Sequence, residues 1–293
     1  MTSGDVATEN VGINERSKIL VLLITYASAS ETRSIVAKFE EFVGQLHSEQ
    51  AVRVVVWDNK AWNLSITGEV KYHSSPYGNL GFGAAVNRVA ELYDFERILL
   101  LNSDIDIDEK LFAAVLSSNS ALADNVIWSP SLINPDGTLQ TTPGSLFMRT
   151  PLQEIFDLFG YPAKSQRRQQ PLYYLRGAVF SISQGLLNSV GGFDESFFLY
   201  GEEADLCFRL DGRCKLVMDD ELRVIHHGSQ GHKNKTPEAL NHSLQARVLL
   251  HRKYNGAMAS LIVRAAVGLA KCALATKRAA TRLRRFSQQV VGR

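Results

Sequence analysis

Residues 97–106 read Arg97-Ile98-Leu99-Leu100-Leu101-Asn102-Ser103-Asp104-Ile105-Asp106. The apolar run Ile98–Leu101 shows no alternation, so it reads as a strand buried on both faces. It stops at a polar cluster, and a helical pattern follows over Glu109–Ala123. A strand covered on both faces needs helices above and below it, which is the layering of an α/β sheet.

The same grammar recurs upstream. Lys18–Tyr26 (KILVLLITY) is a second near-continuous apolar run, and Val52–Trp57 (VRVVVW) a third, ending at Asp58-Asn59. Val70–His73 reads as a short strand. Thr32–Leu46 places Ile35, Val36, Phe39, Phe42, Val43 and Leu46 on one helical side. Gly81–Tyr93 reads as a helix opened by a glycine-rich turn. The order β-α-β-(β)-α-β-α predicts a parallel sheet flanked by helices. Ligands of such sheets bind outside the carboxyl ends of the strands. Thr25-Tyr26, Asp58-Asn59 and Asp104–Asp106 all fall there.

Downstream the pattern changes. Val126–Ile133 reads as a strand, Asn134–Gly137 as a turn and Thr138–Thr142 as a strand. Phe147–Gln170, with Pro151, Pro162 and the polar run Lys164–Gln170, reads as mobile loop and short helix. Leu172–Ser183 reads as a strand entering the site, Ser183–Val190 as a short helix, and Phe193–Leu210 as an acidic loop running into a helix. Lys215–Met218 and Leu222–His226 read as two short strands.

The chain has 293 residues, 45% apolar and 21% charged, enough to bury a sizeable core. Three cysteines without a CxxC pair exclude a disulfide scaffold or a zinc ribbon and suit a reducing cytoplasm. Residues 1–17 are polar, lack a signal-peptide pattern and are expected to be disordered. Residues 18–238 are expected to form the main domain, with a nucleotide-binding half to about 125 and an acceptor half beyond it. The tail, 239–293, has no acidic residue but carries 11 of the 32 Lys and Arg, leaving 21 basic against 30 acidic residues before it. Such a split points to an anionic partner.

Four constellations carry chemistry. Asp104 and Asp106 are alternate residues of an extended segment and point the same way, so they can converge on a hard cation such as Mg²⁺ or Mn²⁺; Asp as a helix N-cap is the plainer alternative. In Gly192–Arg209, aromatics crowd around five carboxylates. Burial and like charge would raise the pKa of Glu202 or Glu203, which suits a general base; a solvated helix start is the alternative. His226-His227 ends a strand, and alternation lets only one of them complete a carboxylate metal site. Asn79–Asn87 puts Gly81 and Gly83 at a helix N-terminus, where free N–H groups can meet an anion. It is not GxGxxG, because position 86 is Val, so an NAD site is poorly supported.

Taken in order, Thr25-Tyr26, Asp58-Asn59, Asn79–Asn87, Leu101–Asp106, Phe193–Arg209 and His226 resemble the family 2 glycosyltransferases, most closely the bacterial rhamnosyltransferase branch. The likeness spans about Ile19 to Ser229. It implies a GT-A (Rossmann-like), mostly parallel central sheet, to which this chain adds a basic C-terminal helical extension. It implies that Thr25, Asp58 and Asp104 hold the nucleoside, with Tyr26, Asn59, Gly81, Gly83, Asn87 and Arg209 completing the donor site. Asp106, with Asp104 and His226, would hold the divalent cation. Glu203 takes the position of the family's base, with Glu202 as its rival. Gly177, Tyr200 and Asp205 would shape the acceptor side. Three departures stand out: Glu203 replaces the family's Asp, Ala27 follows Thr-Tyr where Asn is usual, and Lys60-Ala61-Trp62 lacks the common Ser.

The expected activity is inverting, metal-dependent transfer of a sugar from a nucleotide-sugar donor, dTDP-rhamnose favoured, to a glycan or polyprenyl-diphosphate-linked acceptor. UDP-galactofuranose or a UDP-hexose is the rival donor. A nucleotidyltransferase is disfavoured, since Tyr26–Ser30 lacks a basic glycine-rich loop, and a non-catalytic membrane scaffold is the alternative of another class. In the tail, Met258, Leu261, Ile262, Ala265, Leu269 and Ala273 suggest an apolar stripe, with Arg264, Lys271, Arg278 and Arg285 seven apart. A basic amphipathic helix lying on an anionic membrane at its cytoplasmic face is expected; packing on the catalytic domain or a second subunit is the alternative. No nucleic-acid recognition motif is present.

Overall fold

The structure is a computed structural model that describes residues 17–46, 51–140, 151–158, 174–228 and 237–272. The lead-in expected over 1–17 therefore lies almost wholly outside it, as do most of 147–170 and the end of the tail.

The strands of the described residues are β1 (Ser17–Thr25), β2 (Val52–Asp58), β3 (Lys71–Ser74), β4 (Phe95–Asn102), β5 (Ile105–Asp106), β6 (Val126–Ile133), β7 (Val179–Ser183) and β8 (Lys215–His226). They form one sheet in the order β3-β2-β1-β4-β7-β6-β8-β5. From β3 to β4 every pairing is parallel. Beyond β4 the sheet is mixed: β7 runs antiparallel to β4 and β6, β8 parallel to β6, and β5 antiparallel to β8.

Around it lie α1 (Ala29–Gly44), α2 (Phe82–Leu92), α3 (Glu109–Ser120), α4 (Pro151–Leu158), α5 (Gln184–Ser189), α6 (Glu202–Arg209) and α7 (Pro237–Tyr254), then a terminal helix over 256–272. Helix α1 starts early because Ser28 and Glu31 form a capping box. Alternation along β1 sends Ile19, Val21 and Leu23 to one face, against Val36 and Phe39 of α1 and Phe112 of α3. Leu20 and Leu22 go to the other, against Val86 and Val89 of α2, Leu187 of α5 and Leu206 of α6. Both faces are thus covered, as the unbroken apolar runs require.

The structure departs from the sequence-based elements in three places. Lys215–His226 is one strand, because the acidic run Asp219-Asp220-Glu221 is absorbed by a register shift opposite Pro130/Ser131. Residues 174–178 are not strand; β7 begins at Val179. Of the strand expected over 138–142, the described part makes only an isolated bridge, Leu139 to Ile133.

The terminal helix carries two apolar faces. Ala259, Val263, Ala266, Val267 and Ala270 are buried, with Val263 and Val267 packed against Leu244 of α7 and Leu158 of α4. Met258, Leu261, Ile262 and Leu269 stay exposed. One side of the helix thus packs on this chain, as the packing alternative expects. No helix among the described residues is long and apolar enough to cross a membrane.

Candidate active site

At the carboxyl edge of the parallel half, Thr25 aligns with Asp58 and Ile24 with Asn102. Thr25 is fully buried, and its Oγ1 accepts the Ala27 N–H at 3.1 Å. Asp58 is fully buried as well. Its Oδ1 accepts the Lys60 N–H at 2.8 Å, and its Oδ2 accepts the Trp62 N–H at 3.0 Å and the Tyr72 hydroxyl at 2.7 Å. Burial, then the Asp58 carboxylate, push the Tyr72 phenol up to about 12. Asn59 accepts from Trp57 Nε1 and donates to the Gly81 carbonyl. These motif residues build the loop walls. What projects outward is aromatic: Tyr26 and Trp62 are exposed, with the Lys60 ammonium 4.9 Å from one ring centre and 5.8 Å from the other. Ala61 and Asn63 on either side of Trp62 have φ of 59° and 50°, a conformation Asn tolerates and Ala does not favour. Trp62 was outside the expected site; its one sequence signal is a large aromatic in a polar loop.

The glycine motif is placed against protein rather than open to a ligand. Gly81 has φ 84°, and a Cβ there would overlap the Phe198 carbonyl oxygen, which accepts the Phe82 N–H at 3.1 Å. Gly83 lies under the Phe193 side chain. Asn87 grips Phe193 from both sides, Nδ2 donating to its carbonyl at 2.9 Å and Oδ1 accepting its N–H at 2.8 Å. Gly81, Gly83 and Asn87, expected at the donor, thus lie where the start of α2 meets the aromatic loop, with the Gly81 N–H donating to Asn79 Oδ1 at 3.0 Å and the Phe82 N–H to the Phe198 carbonyl.

The second carboxyl edge holds the acidic pair. Strand β5 pairs with β8, so Ile105 faces His226 and Asp106 faces Ile225. His226 Nε2 lies 3.3 Å from Asp104 Oδ1, and His227 Nε2 lies 2.8 Å from Asp106 Oδ1. Both histidines reach the site because β8 ends at His226; His227 lies past the strand and its N–H donates to the Asp104 carbonyl at 2.8 Å. Burial would raise the Asp104 carboxyl, but the His226 hydrogen bond and charge hold it below its ordinary value. Among the described residues no three His, Cys, Asp or Glu side chains converge as a ready metal cluster. The expected set of Asp104, Asp106 and His226 is thus split between two His–Asp pairs. Its donor chemistry still fits a hard divalent cation, because Mg²⁺ and Mn²⁺ usually take one or two carboxylates and fill the rest with water and phosphate.

Two consecutive left-handed residues, Tyr200 (φ 71°) and Gly201 (φ 93°), turn the chain into α6. They part the two glutamates. Glu202 is 2% exposed, and its Oε2 has no hydrogen-bond partner among the described residues. Burial, then the charge of Glu203, push its carboxyl well above the usual range. Glu203 is half-buried, and its Oε1 accepts the Gly177 N–H at 2.9 Å. Burial raises its pKa, while the hydrogen bond and the charges of Arg176 and His226 oppose the rise. A Cβ at Gly177 would overlap Glu203 Oε1, so glycine is what lets the carboxylate dock there.

Arg209 Nε donates to Asp205 Oδ2 at 2.8 Å and its NH1 to the Val190 carbonyl at the end of α5. Asp205 is fully buried and also meets Lys253 Nζ at 2.6 Å and the Tyr254 hydroxyl at 2.5 Å. Arg209, expected on the donor, thus joins α6 to the end of α5, and Asp205, expected on the acceptor side, joins α6 to α7.

No family model matches the chain. It is 25% identical over 236 residues to N-acetylglucosaminyl-diphospho-decaprenol L-rhamnosyltransferase of Mycobacterium tuberculosis, covering 71% of this chain and 75% of that one. It is 27% identical over 132 residues to the low-salt glycan biosynthesis hexosyltransferase Agl10 of Haloferax volcanii, covering 42% and 41%. Among solved structures, GalNAc-T7 with UDP, GalNAc and Mn²⁺ superposes with a TM-score of 0.53 at 14% identity, over 81% of this chain and 48% of that one. The chain thus spans about half the length of that structure, and the likeness is one of fold. The sheet, its flanking helices and these relatives identify a GT-A fold whose homologues are a rhamnosyltransferase and other glycosyltransferases, consistent with a family 2, rhamnosyltransferase-like protein.

Proposed function

We propose that this chain is an inverting, metal-dependent glycosyltransferase that moves L-rhamnose from dTDP-rhamnose to a lipid-linked or glycan acceptor in polysaccharide biosynthesis. The observation that carries the chemistry is Glu203. It is half-buried, docked on the Gly177 N–H at 2.9 Å, and burial raises its carboxyl. A carboxylate with a raised pKa beside an acidic cation site suits a general base. Glu202 is a poorer base, because it is buried and its proton is hard to remove.

In this reading the donor lies across the carboxyl ends of β1, β2 and β4, with its base near Tyr26 and Trp62. Asp104, Asp106 and His226 would hold the divalent cation, which would neutralise charge on the departing diphosphate. Glu203 takes the proton of an acceptor hydroxyl whose oxygen attacks the anomeric carbon. The bond from that carbon to the diphosphate oxygen breaks on the opposite face, so one displacement inverts the centre without a sugar–enzyme bond. The rhamnosyl donor and the lipid-linked acceptor rest on the mycobacterial relative, and the cation also on the Mn²⁺ of the structural neighbour. The basic tail and the exposed Met258, Leu261, Ile262 and Leu269 support peripheral contact with an anionic membrane at its cytoplasmic face.

Mass spectrometry tests this directly. The full chain is incubated with Mn²⁺ or Mg²⁺, a nucleotide-sugar panel, and an N-acetylglucosaminyl-diphospho-lipid. A metal-dependent gain of one deoxyhexose, with dTDP-rhamnose alone, is the expected result. A gain from a UDP-hexose or UDP-galactofuranose instead would replace the donor and keep the class. No gain and no nucleotide binding would remove the class.

A further inference from the structure

We propose that Gln140 is a positioning residue that fixes His226 in the tautomer able to bind a divalent cation through Nε2. The inference rests on the reading of His226 as a metal ligand.

The argument is a chain of donors and acceptors. Gln140 Nε2 lies 2.7 Å from the His226 carbonyl oxygen, which can only accept. The amide nitrogen must therefore face that oxygen, which turns Gln140 Oε1 toward His226 Nδ1 at 2.9 Å. Oε1 also can only accept, so Nδ1 carries hydrogen. A neutral imidazole has one such hydrogen, and Nε2 is left with a bare lone pair. That lone pair looks at Asp104 Oδ1 from 3.3 Å. With the ring protonated, Nε2 donates to that oxygen, the hydrogen bond that lowers the Asp104 carboxyl; with the ring neutral, the two atoms cannot bond each other, and both bind a cation.

A second observation points the same way. A Cβ at Gly228 would overlap Nε2 and Cε1 of the His226 ring. Glycine at that position keeps the ligating edge of the imidazole clear.

The fold sets Gln140 in place by long-range pairing. The turn Asn134–Gly137, with Gly137 at φ 81°, folds the chain back so that the Gln140 N–H donates to the Leu132 carbonyl at 2.8 Å. Strand β6 lies beside β8, with Ile133 opposite Ile225. Gln140 thus reaches His226 across 86 residues of sequence. Holding the far ring nitrogen in this way orients a ligating histidine and raises its basicity.

The experiment is Mn²⁺ binding to the full chain with dTDP present, read by electron paramagnetic resonance of free Mn²⁺. Gln140→Met should weaken Mn²⁺ binding by about 10–100-fold, with donor-independent melting unchanged. Gln140→Glu, which keeps an acceptor for Nδ1, should restore most of the affinity, and Gly228→Ala should weaken it. Nitrogen-15 NMR of the unaltered protein without metal should show His226 as the Nδ1–H tautomer, a readout that needs no variant. An Nε2–H tautomer, or Gln140→Met binding Mn²⁺ like the parent, overturns the proposal. His226→Ala separates the levels. If it loses Mn²⁺ while Gln140→Met does not, Gln140 alone is wrong; if it binds Mn²⁺ normally, or the parent binds none, the metal reading itself falls.

Discussion

Glu202 and Glu203 are adjacent in the chain yet differ in every physical respect that matters for proton transfer. Glu202 is enclosed, and burial and the charge of Glu203 favour its neutral form; Gln keeps the shape of that form. Glu202→Gln is therefore expected to leave kcat within a few-fold of the parent, whereas Glu203→Gln should lower it by about 10²–10⁴-fold with donor binding intact. Steady-state kinetics on both variants, with the reverse ranking, would exchange their roles. The buried acid also has a stability signature. A glutamate whose folded pKa is raised binds more protons in the folded than in the unfolded state between the two pKa values, so stability falls as pH rises through that window, by about 1.4 kcal/mol per unit for one full proton. Denaturant melts should show that slope above the ordinary glutamate range in the parent and a shallower one in Glu202→Gln, where only the raised Glu203 remains of the pair. Gly177 carries a third expectation. An added methyl must displace the Glu203 carboxylate, and a misplacement of about 1 Å can cost on the order of 10²-fold in rate. Gly177→Ala should thus lose kcat and keep its KM for donor; a parallel rise in KM would mean that Gly177 serves the donor instead.

The elements explain which parts of this protein could be read in advance. Strands β1, β2 and β4 were legible because burial on both faces demands unbroken apolar runs, and their polar ends marked one edge of the site. The roles of the glycine motif, Asp205 and Arg209 were not legible, because residues of these types can as well fasten two elements as hold a ligand. Their partners lie across long sequence gaps: Phe193 and Phe198 for the glycine motif, and Lys253 and Tyr254 for Asp205. The second strand pair near His226 failed for another reason, since an acidic run that looks like a turn fits inside β8 once a bulge takes up the extra residues. The Asp205 junction itself is open to test. Tyr254→Phe removes a hydrogen bond to a buried carboxylate, which is worth about 1.5–3 kcal/mol, and should free the last turn of α7. Lys253→Met should cost less, because the ammonium is 30% exposed and its attractions are screened. Hydrogen exchange over Pro237–Tyr254 should quicken in Tyr254→Phe more than elsewhere in the sheet. Unchanged exchange and unchanged stability would mean that Asp205 does not fasten α7 to α6.

At the scale of the whole molecule, charge and hydrophobicity are sorted along the chain. The part before residue 239 carries all 30 acidic residues, while the tail carries none and 11 basic ones. The terminal helix spends one apolar face on α7 and α4 and leaves Met258, Leu261, Ile262 and Leu269 to solvent at 71%, 58%, 43% and 65% exposure. On α4, Leu152 and Phe156 are exposed as well. An apolar face flanked by Arg264 and Lys271 is what an anionic lipid surface recognises, each basic residue near the surface adding about 1 kcal/mol. Because α7 is fastened to α6 at Asp205, a bilayer under the tail would hold α6, and with it the proposed base Glu203, at a fixed distance from a lipid-linked acceptor. The full chain should float with vesicles containing phosphatidylglycerol and not with phosphatidylcholine alone, and the binding should weaken between about 0.1 and 1 M salt as the Debye length shrinks from about 10 to 3 Å. Leu261→Asp with Leu269→Asp should abolish flotation without altering the melt, since neither side chain is packed. Transfer to a short, water-soluble acceptor should then persist while transfer to the lipid-linked one falls. Flotation that ignores lipid charge, or that survives both aspartates, would assign the exposed face to a second protein surface rather than to the membrane.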